Sequence, residues 1–93
     1  MHGVWIPSLV LEDRELNSSE KILVGYIAGF GKNGGECFAS NSRIAADLGT
    51  TPAYVQKMLG VLIEKGVIHK RGSHQWRKLT LDVVYATSPM GNI

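Results

Sequence analysis

Apolar residues recur at helical spacing in three stretches of the 93-residue chain. Repeats of three and four residues place such side chains on one face of a helix. The pattern therefore predicts three helices, near residues 18–31, 42–48 and 52–65. After Gly66 the spacing changes to alternation, which predicts a hairpin formed by residues 67–71 and 76–82. Short strands are also expected at residues 36–39 and as an extension of the hairpin over 82–85.

The residues at the ends of these stretches support the predicted boundaries. Each helix is preceded by a side chain that can accept a hydrogen bond from a free amide of the first turn, namely Asn17, Asn41 and Thr51. Asn17 and Glu20 also have the spacing of a capping box. Gly49 and Gly66 are expected to end the second and third helices, because glycine adopts the left-handed conformation without strain.

The two helices between residues 41 and 65 have the pattern of a helix-turn-helix motif: a short helix, a glycine-containing turn and a longer helix. The longer helix has a buried stripe formed by Val55, Leu59 and Leu62. With the hairpin as a wing, the predicted fold class is α+β, mainly α: a winged helix-turn-helix of three helices and a C-terminal two-stranded hairpin. This domain would span residues 1–85, followed by a flexible tail or the start of a linker at 86–93.

Composition and charge narrow the class of protein. The chain has 44% hydrophobic and 19% charged residues, which is ordinary for a small globular domain. Residues 1–47 hold four basic and six acidic side chains, whereas residues 48–93 hold six basic and two acidic ones. The positive charge thus coincides with the second motif helix and the hairpin. A single cysteine, no secretion signal and no long apolar run favour a cytoplasmic protein without a membrane span.

Two segments resemble a winged helix-turn-helix domain: LGTTPAYVQKMLGVLIEKGVI (48–68) and HKRGSHQWRKLTL (69–81). A more specific resemblance lies in the opening, WIPSLVLEDRELNSSEKILVGYIAGF (5–30), and in the later CFASNSRIAADLG (37–49). These resemble the DNA-binding domain of replication initiators of phages and plasmids. The resemblance covers about residues 4–81 and implies sequence-specific binding of double-stranded DNA, with the second motif helix in the major groove. Gly60 departs from the pattern, since most such helices carry a longer polar residue there.

The outward face of the second motif helix carries side chains that suit base edges and phosphates. Gln56 can pair with adenine through two hydrogen bonds, and Lys57 can meet guanine or phosphate. Ala53 can touch a thymine methyl, and Tyr54 can stack or donate to phosphate. The candidate recognition residues are Thr51, Ala53, Tyr54, Gln56, Lys57 and Gly60, supported by Asn41, Ser42 and Arg43 from the helix before. The alternative is that they form a merely solvated helix face.

The hairpin concentrates basic side chains. Four of the ten lysines and arginines fall within nine positions, and histidines accompany them. A basic run is usually a solvated surface, but a basic hairpin directly after a helix-turn-helix motif is typical of a wing that contacts the DNA backbone or minor groove. The candidate wing residues are Lys70, Arg71, His74, Arg77 and Lys78.

Chemistry other than binding is not indicated by the sequence. Cys37, His69 and His74 lack the spacing of zinc ligands, so we expect no metal. No nucleophile with its base and no carboxylate pair set for acid–base work is recognisable. We therefore expect no enzyme, no cofactor and no small-molecule substrate.

The sequence is compatible with three functions. Origin binding by a replication initiator is favoured by the opening segment, with a small transcriptional regulator, MarR-like or a phage repressor, as the first alternative. The second alternative is a winged helix used for protein contact, for which Val61 and Ile63 give weak support. A homodimer on DNA is also expected, because one short helix covers only a few base pairs. Its candidate contacts are the apolar arm at residues 4–6 and the strand at 79–85.

Overall fold

The computed structural model of the protein describes residues 5–29, 36–73, 77–86 and 90–92. In chain order, its elements are β1 (Trp5–Pro7), α1 (Ser8–Leu11), α2 (Ser18–Gly29), α3 (Asn41–Leu48), α4 (Pro52–Glu64), β2 (Ile68–Arg71), β3 (Lys78–Leu81), α5 (Val83–Ala86) and β4 (Met90–Asn92). The three predicted helices are α2, α3 and α4, and the predicted hairpin is β2 with β3. The predicted end of the first helix, at residue 31, lies outside the described residues.

The start of α2 is fixed by the predicted capping box. The backbone amide of Asn17 donates to Glu20 Oε1 at 2.8 Å, and the amide of Glu20 donates to Asn17 Oδ1 at 2.8 Å. The two side chains thereby satisfy two amides that have no partner inside the helix. This pair confirms the capping prediction for α2.

The cap of α3 lies one residue earlier than predicted. Ser40 has the extended conformation of a cap, and its Oγ accepts from the amide of Arg43 at 3.1 Å. Asn41, the predicted cap, is instead the first helical residue of α3. Both residue types are good caps, and the backbone turns into the helix after Ser40. At the other end, Gly49 has a φ of 73° and its amide donates to the carbonyl of Ala45, as the glycine predicts.

Helix α4 begins and ends as the sequence predicts. Thr51 Oγ1 accepts from the amide of Tyr54 at 3.2 Å, and Pro52 occupies the first turn. Gly66, with a φ of 77°, follows the end of the helix. The amide of Val67 then donates to the carbonyl of Leu62 at 3.0 Å, which turns the chain into the wing.

Strands β2 and β3 form the wing and pair in antiparallel register, from Ile68 opposite Leu81 to Arg71 opposite Lys78. On the other side of β3, Cys37 pairs with Leu79 through two backbone hydrogen bonds of 2.9 Å. The strand expected at residues 36–39 is therefore a single bridge.

The end of the chain differs from the predicted tail and from the predicted extension of the hairpin. Residues 90–92 form β4, which pairs antiparallel with β1. Residues 83–86 form the short helix α5 in place of a strand extension, because Asp82 caps it. Its Oδ2 accepts from the amide of Val84 at 3.1 Å, and its carbonyl accepts from the amide of Ala86 at 2.8 Å. The limits of the domain at residues 1–85 remain a prediction.

The core joins the helices to the wing. Helix α3 packs on α4, and α2 packs on β1 and β3. Each of these elements, and β2 as well, contributes fully or almost fully buried side chains, among them Ile6, Leu23, Ile44, Leu62, Ile68 and Leu79. This arrangement of three helices and a hairpin confirms the predicted fold class, a mainly helical winged helix-turn-helix.

Candidate nucleic-acid interface

Helix α4 buries one face and exposes the opposite one. Val55 and Leu62 are fully buried, and Met58 and Leu59 are almost so. Because successive residues of a helix are about 100° apart, Gln56, Lys57 and Gly60, which lie between these buried residues, point away from the core. The predicted recognition residues that lie exposed at this face are Thr51, Ala53, Gln56, Lys57 and Gly60. We call these five residues the outward face of α4.

The two long polar side chains of the outward face have no structural task among the residues that the structure describes. Those of Gln56 and Lys57 make no hydrogen bond or ion pair with any residue that the structure describes. Thr51, by contrast, caps α4. Tyr54 differs from the prediction in being half-buried, since it packs against the core. Gln56 and Lys57 are therefore the long polar groups of the outward face that are available to a partner.

The four cations of the wing fall into two pairs with different surroundings. Lys70 and Arg71 are exposed, and their side chains have no hydrogen-bond or ion-pair partner within the described ranges. Arg77 instead donates through Nη2 to the carbonyl of Ala39 at 3.0 Å, and burial lowers the pKa of its guanidinium. Lys78 forms an ion pair of 3.2 Å, from Nζ to Oε1 of Glu36, with both side chains 38% exposed. His74 and Trp76 lie outside the described residues.

Register places like charges opposite each other on the wing. Arg71 faces Lys78 directly across the two strands, an arrangement that is destabilising unless an anion is near. Within the described ranges, Glu36 supplies that anion to Lys78 and not to Arg71. An external phosphate would relieve the remaining repulsion at Arg71.

The base of the wing is held by a histidine–carboxylate pair. His69 Nε2 and Asp82 Oδ1 are 2.6 Å apart. The hydrogen bond from His69, together with the one from the amide of Val84, lowers the pKa of the Asp82 carboxyl. His69 is therefore occupied in fastening β2 to the segment that follows β3.

The supporting residues on α3 have mixed surroundings. Ser42 and Arg43 are exposed, and Nε of Arg43 lies 4.0 Å from Oδ2 of Asp47. The same carboxylate accepts from the hydroxyl of Tyr26 at 2.5 Å, which ties α3 to α2. Burial and this bond raise the pKa of Tyr26 above its ordinary value. Asn41 is half-buried, and its Oδ1 has no hydrogen-bond partner among the described residues.

Sequence reasoning did not find the internal partners of these charged groups. Glu36, Asp47 and Asp82 each hold a basic or hydroxyl group that is distant in the chain or on a neighbouring element.

Two of the candidate dimer contacts are not available to a second subunit, because Ile6 and Leu79 are fully buried within the protomer. The large apolar side chains that are exposed among the described residues are Leu9, Phe38, Ile63, Val83 and Val84.

Three helices with an exposed polar face on the last one, followed by a basic wing, define a winged helix-turn-helix DNA-binding domain. A family model described as a helix-turn-helix domain matches residues 14–68, more than half of the chain. The protein therefore belongs to the helix-turn-helix domain family. Comparisons with curated proteins and with solved structures gave no match. Within the described ranges, the helices are too short or too polar to cross a membrane.

Proposed function

We propose that the protein binds double-stranded DNA in a sequence-specific way, with α4 in the major groove and the wing on the backbone. The observation that supports this most is the outward face of α4, where Gln56 and Lys57 are exposed and have no described partner. A major groove admits one helix and presents donors and acceptors that such side chains can match.

Each residue of the outward face has a specific role in this proposal. Gln56 pairs with adenine through two hydrogen bonds, and Lys57 donates to guanine or to a phosphate. Ala53 contacts a thymine methyl. Tyr54, half-buried at the edge of this face, donates its hydroxyl to a phosphate.

The wing contributes affinity without sequence preference. Lys70 and Arg71 meet phosphates, which are the same at every base pair. Arg77 and Lys78 contribute less directly, because Ala39 and Glu36 already hold them. Binding should accordingly depend on salt through the release of counterions.

The biological role we propose is origin binding by a replication initiator of a phage or plasmid, in the cytoplasm and without catalytic activity. The support is the resemblance of residues 5–30 and 37–49 to such domains. A transcriptional regulator would bind DNA in the same way. The position of the selected site in the source genome distinguishes the two roles. A site beside repeats at an origin indicates an initiator, and a site at a promoter indicates a regulator.

The experiment begins with selection of a preferred duplex from a random pool. Binding of Gln56→Ala to this site and to a scrambled duplex is then measured, with Val55→Ala as the matched neighbour. Each bidentate base contact is worth about 1–3 kcal/mol of discrimination, so Gln56→Ala should lower specific affinity about tenfold and leave the scrambled duplex nearly unaffected. Val55→Ala should instead lower stability by about 1–3 kcal/mol, because it opens a cavity under α4.

Failure of the proposal would be equally clear. If the wild-type protein showed no preferred duplex, sequence-specific binding would be wrong. If Gln56→Ala, Tyr54→Ala and Lys57→Ala all kept the wild-type ratio of specific to scrambled affinity, α4 would not be the recognition helix.

A further inference from the structure

We infer that Gly60 is a specificity-determining residue: by carrying no side chain, it lets the backbone of α4 approach the DNA closely. This inference rests on the proposed function, because it concerns how the outward face of α4 meets the major groove. It adds a role for shape at a position where no hydrogen bond can be made.

The fold itself does not require glycine at this position. Among the described residues, a Cβ placed on Gly60 would have no heavy atom within 4 Å outside its own helix backbone and chain neighbours. Gly49 and Gly66 differ, because their φ values of 73° and 77° lie in the left-handed region that strains other residues. Gly60 is helical and exposed, so neither packing against the described residues nor backbone conformation explains it.

Glycine at this position also carries a cost. Residue 60 lies inside α4, which runs from Pro52 to Glu64. In a helix interior, glycine is destabilising relative to alanine, because the unfolded chain has more freedom to lose. No contact that the structure describes within the protomer offsets this loss of stability. The benefit of the glycine therefore lies in a contact with a binding partner.

The position of Gly60 on α4 indicates that this binding partner is DNA. Gly60 is two residues before the fully buried Leu62, so the two lie on nearly opposite sides of the helix. Gln56 and Lys57 are four and three residues before Gly60 and lie next to it on the outward face. The C-terminal end of this face is therefore low, while the long polar side chains of Gln56 and Lys57 stand beside it. This shape lets Gln56 and Lys57 reach base edges when the helix backbone lies deep in the groove.

DNA is the occupant that we infer for this surface, because it supplies negative charge to Lys57 and hydrogen-bonding base edges to Gln56. A second copy of the chain is the alternative occupant, since a symmetric contact brings the same patch of both subunits together. One turn beyond Gly60, the exposed Glu64 would repel phosphates, which places the end of the DNA contact between these two residues.

The test compares Gly60→Ala with Gly29→Ala. Gly29 is also helical and exposed, and in the described part of the chain no heavy atom beyond its own helix backbone and chain neighbours lies within 4 Å of a built Cβ, but it lies on α2. Gly60→Ala should raise the melting temperature by about 4–8 °C, through the gain in helix propensity. It should also weaken binding to the selected duplex about tenfold and binding to the scrambled duplex less, since an added methyl group opposes close contact with the base edges. Gly60→Leu should weaken binding further, and Gly29→Ala should not change it.

The outcomes separate this inference from the proposed function. If the wild-type protein prefers its selected duplex and Gly60→Ala and Gly60→Leu bind that duplex equally well, Gly60 has no such role and the proposed function stands. If no duplex is preferred by the wild type, both are wrong. If sedimentation without DNA shows a wild-type dimer that Gly60→Ala dissociates, the glycine serves a contact between protomers, and the inference is overturned.

Discussion

The two parts of the proposed interface, α4 and the wing, differ in whether their polar side chains have partners within the protein. On α4, Gln56 and Lys57 point outward and have no partner in the part of the chain that the structure describes. On the wing, Arg77 and Lys78 are held by groups of the protein itself. The helix is therefore built with its polar groups available, whereas much of the charge of the wing serves to fasten it.

This difference changes what a count of basic residues means. Four wing cations would predict four phosphate contacts, but the two that lack an internal partner in the described ranges are Lys70 and Arg71. Each phosphate contact contributes about 0.9 to the slope of log affinity against log salt. The slope due to the wing should then be nearer to that of two contacts than of four.

Removing one cation of each kind tests whether held and available cations differ in what they contribute. Arg77→Ala should lower the free energy of unfolding by about 1–3 kcal/mol, because a charged donor is lost and the carbonyl of Ala39 keeps no partner in its place. Arg71→Ala should change stability by less than about 0.5 kcal/mol, as exposed residues usually do. Urea unfolding of both variants measures these values.

Binding of the same two variants completes the test. Arg71→Ala should weaken specific and scrambled duplexes in parallel and reduce the salt slope by about 0.9. An unchanged slope would remove Arg71 from the interface. If Arg77→Ala were as stable as the wild type, the division of the wing into held and available cations would be wrong.

A second test releases a held cation. Glu36→Gln removes the carboxylate that pairs with Lys78, so this lysine becomes available to a phosphate. Affinity for every duplex should rise, and the salt slope should steepen by up to about 0.9. Stability should change by no more than about 1 kcal/mol, because both side chains are partly exposed.

A matched control variant has the same net charge as Glu36→Gln. Glu12→Gln removes one carboxylate from an exposed position after α1. If Glu12→Gln strengthened binding as much as Glu36→Gln does, the effect would follow net charge and not the release of Lys78.

Much of the fold follows from local patterns in the sequence. The capping pair of Asn17 with Glu20 and the cap at Thr51 involve residues only three apart, and the structure has both. The cap of α3 was misplaced because Ser40 and Asn41 are adjacent and both suitable. The strand at residues 90–92 was missed because its partner, β1, lies at the other end of the sequence.

The site was predictable only at residues whose position does not depend on a distant part of the chain. Helical spacing was sufficient to place Gln56, Lys57 and Gly60 on the outward face of α4. The task of Arg77 was not predictable, because its partner is a backbone carbonyl 38 positions earlier in the chain. Hydrogen bonds to a distant carbonyl leave no signature in composition or spacing, so only the folded structure shows which cations are held.

The smallest expected effect concerns the histidine–carboxylate pair at the base of the wing. The hydrogen bond from His69 lowers the pKa of Asp82 in the folded state below its unfolded value. A carboxyl with a lowered folded pKa adds stability above its unfolded pKa, and this gain is lost as the pH falls through the folded pKa. Asp82→Asn keeps an acceptor for the amide of Val84 but removes the charge. Wild type should therefore melt higher than Asp82→Asn at neutral pH, and the difference should shrink below about pH 4. His69→Ala should reduce the same difference, whereas a difference that stayed constant down to pH 2 would show that the charge of Asp82 does not fasten the wing.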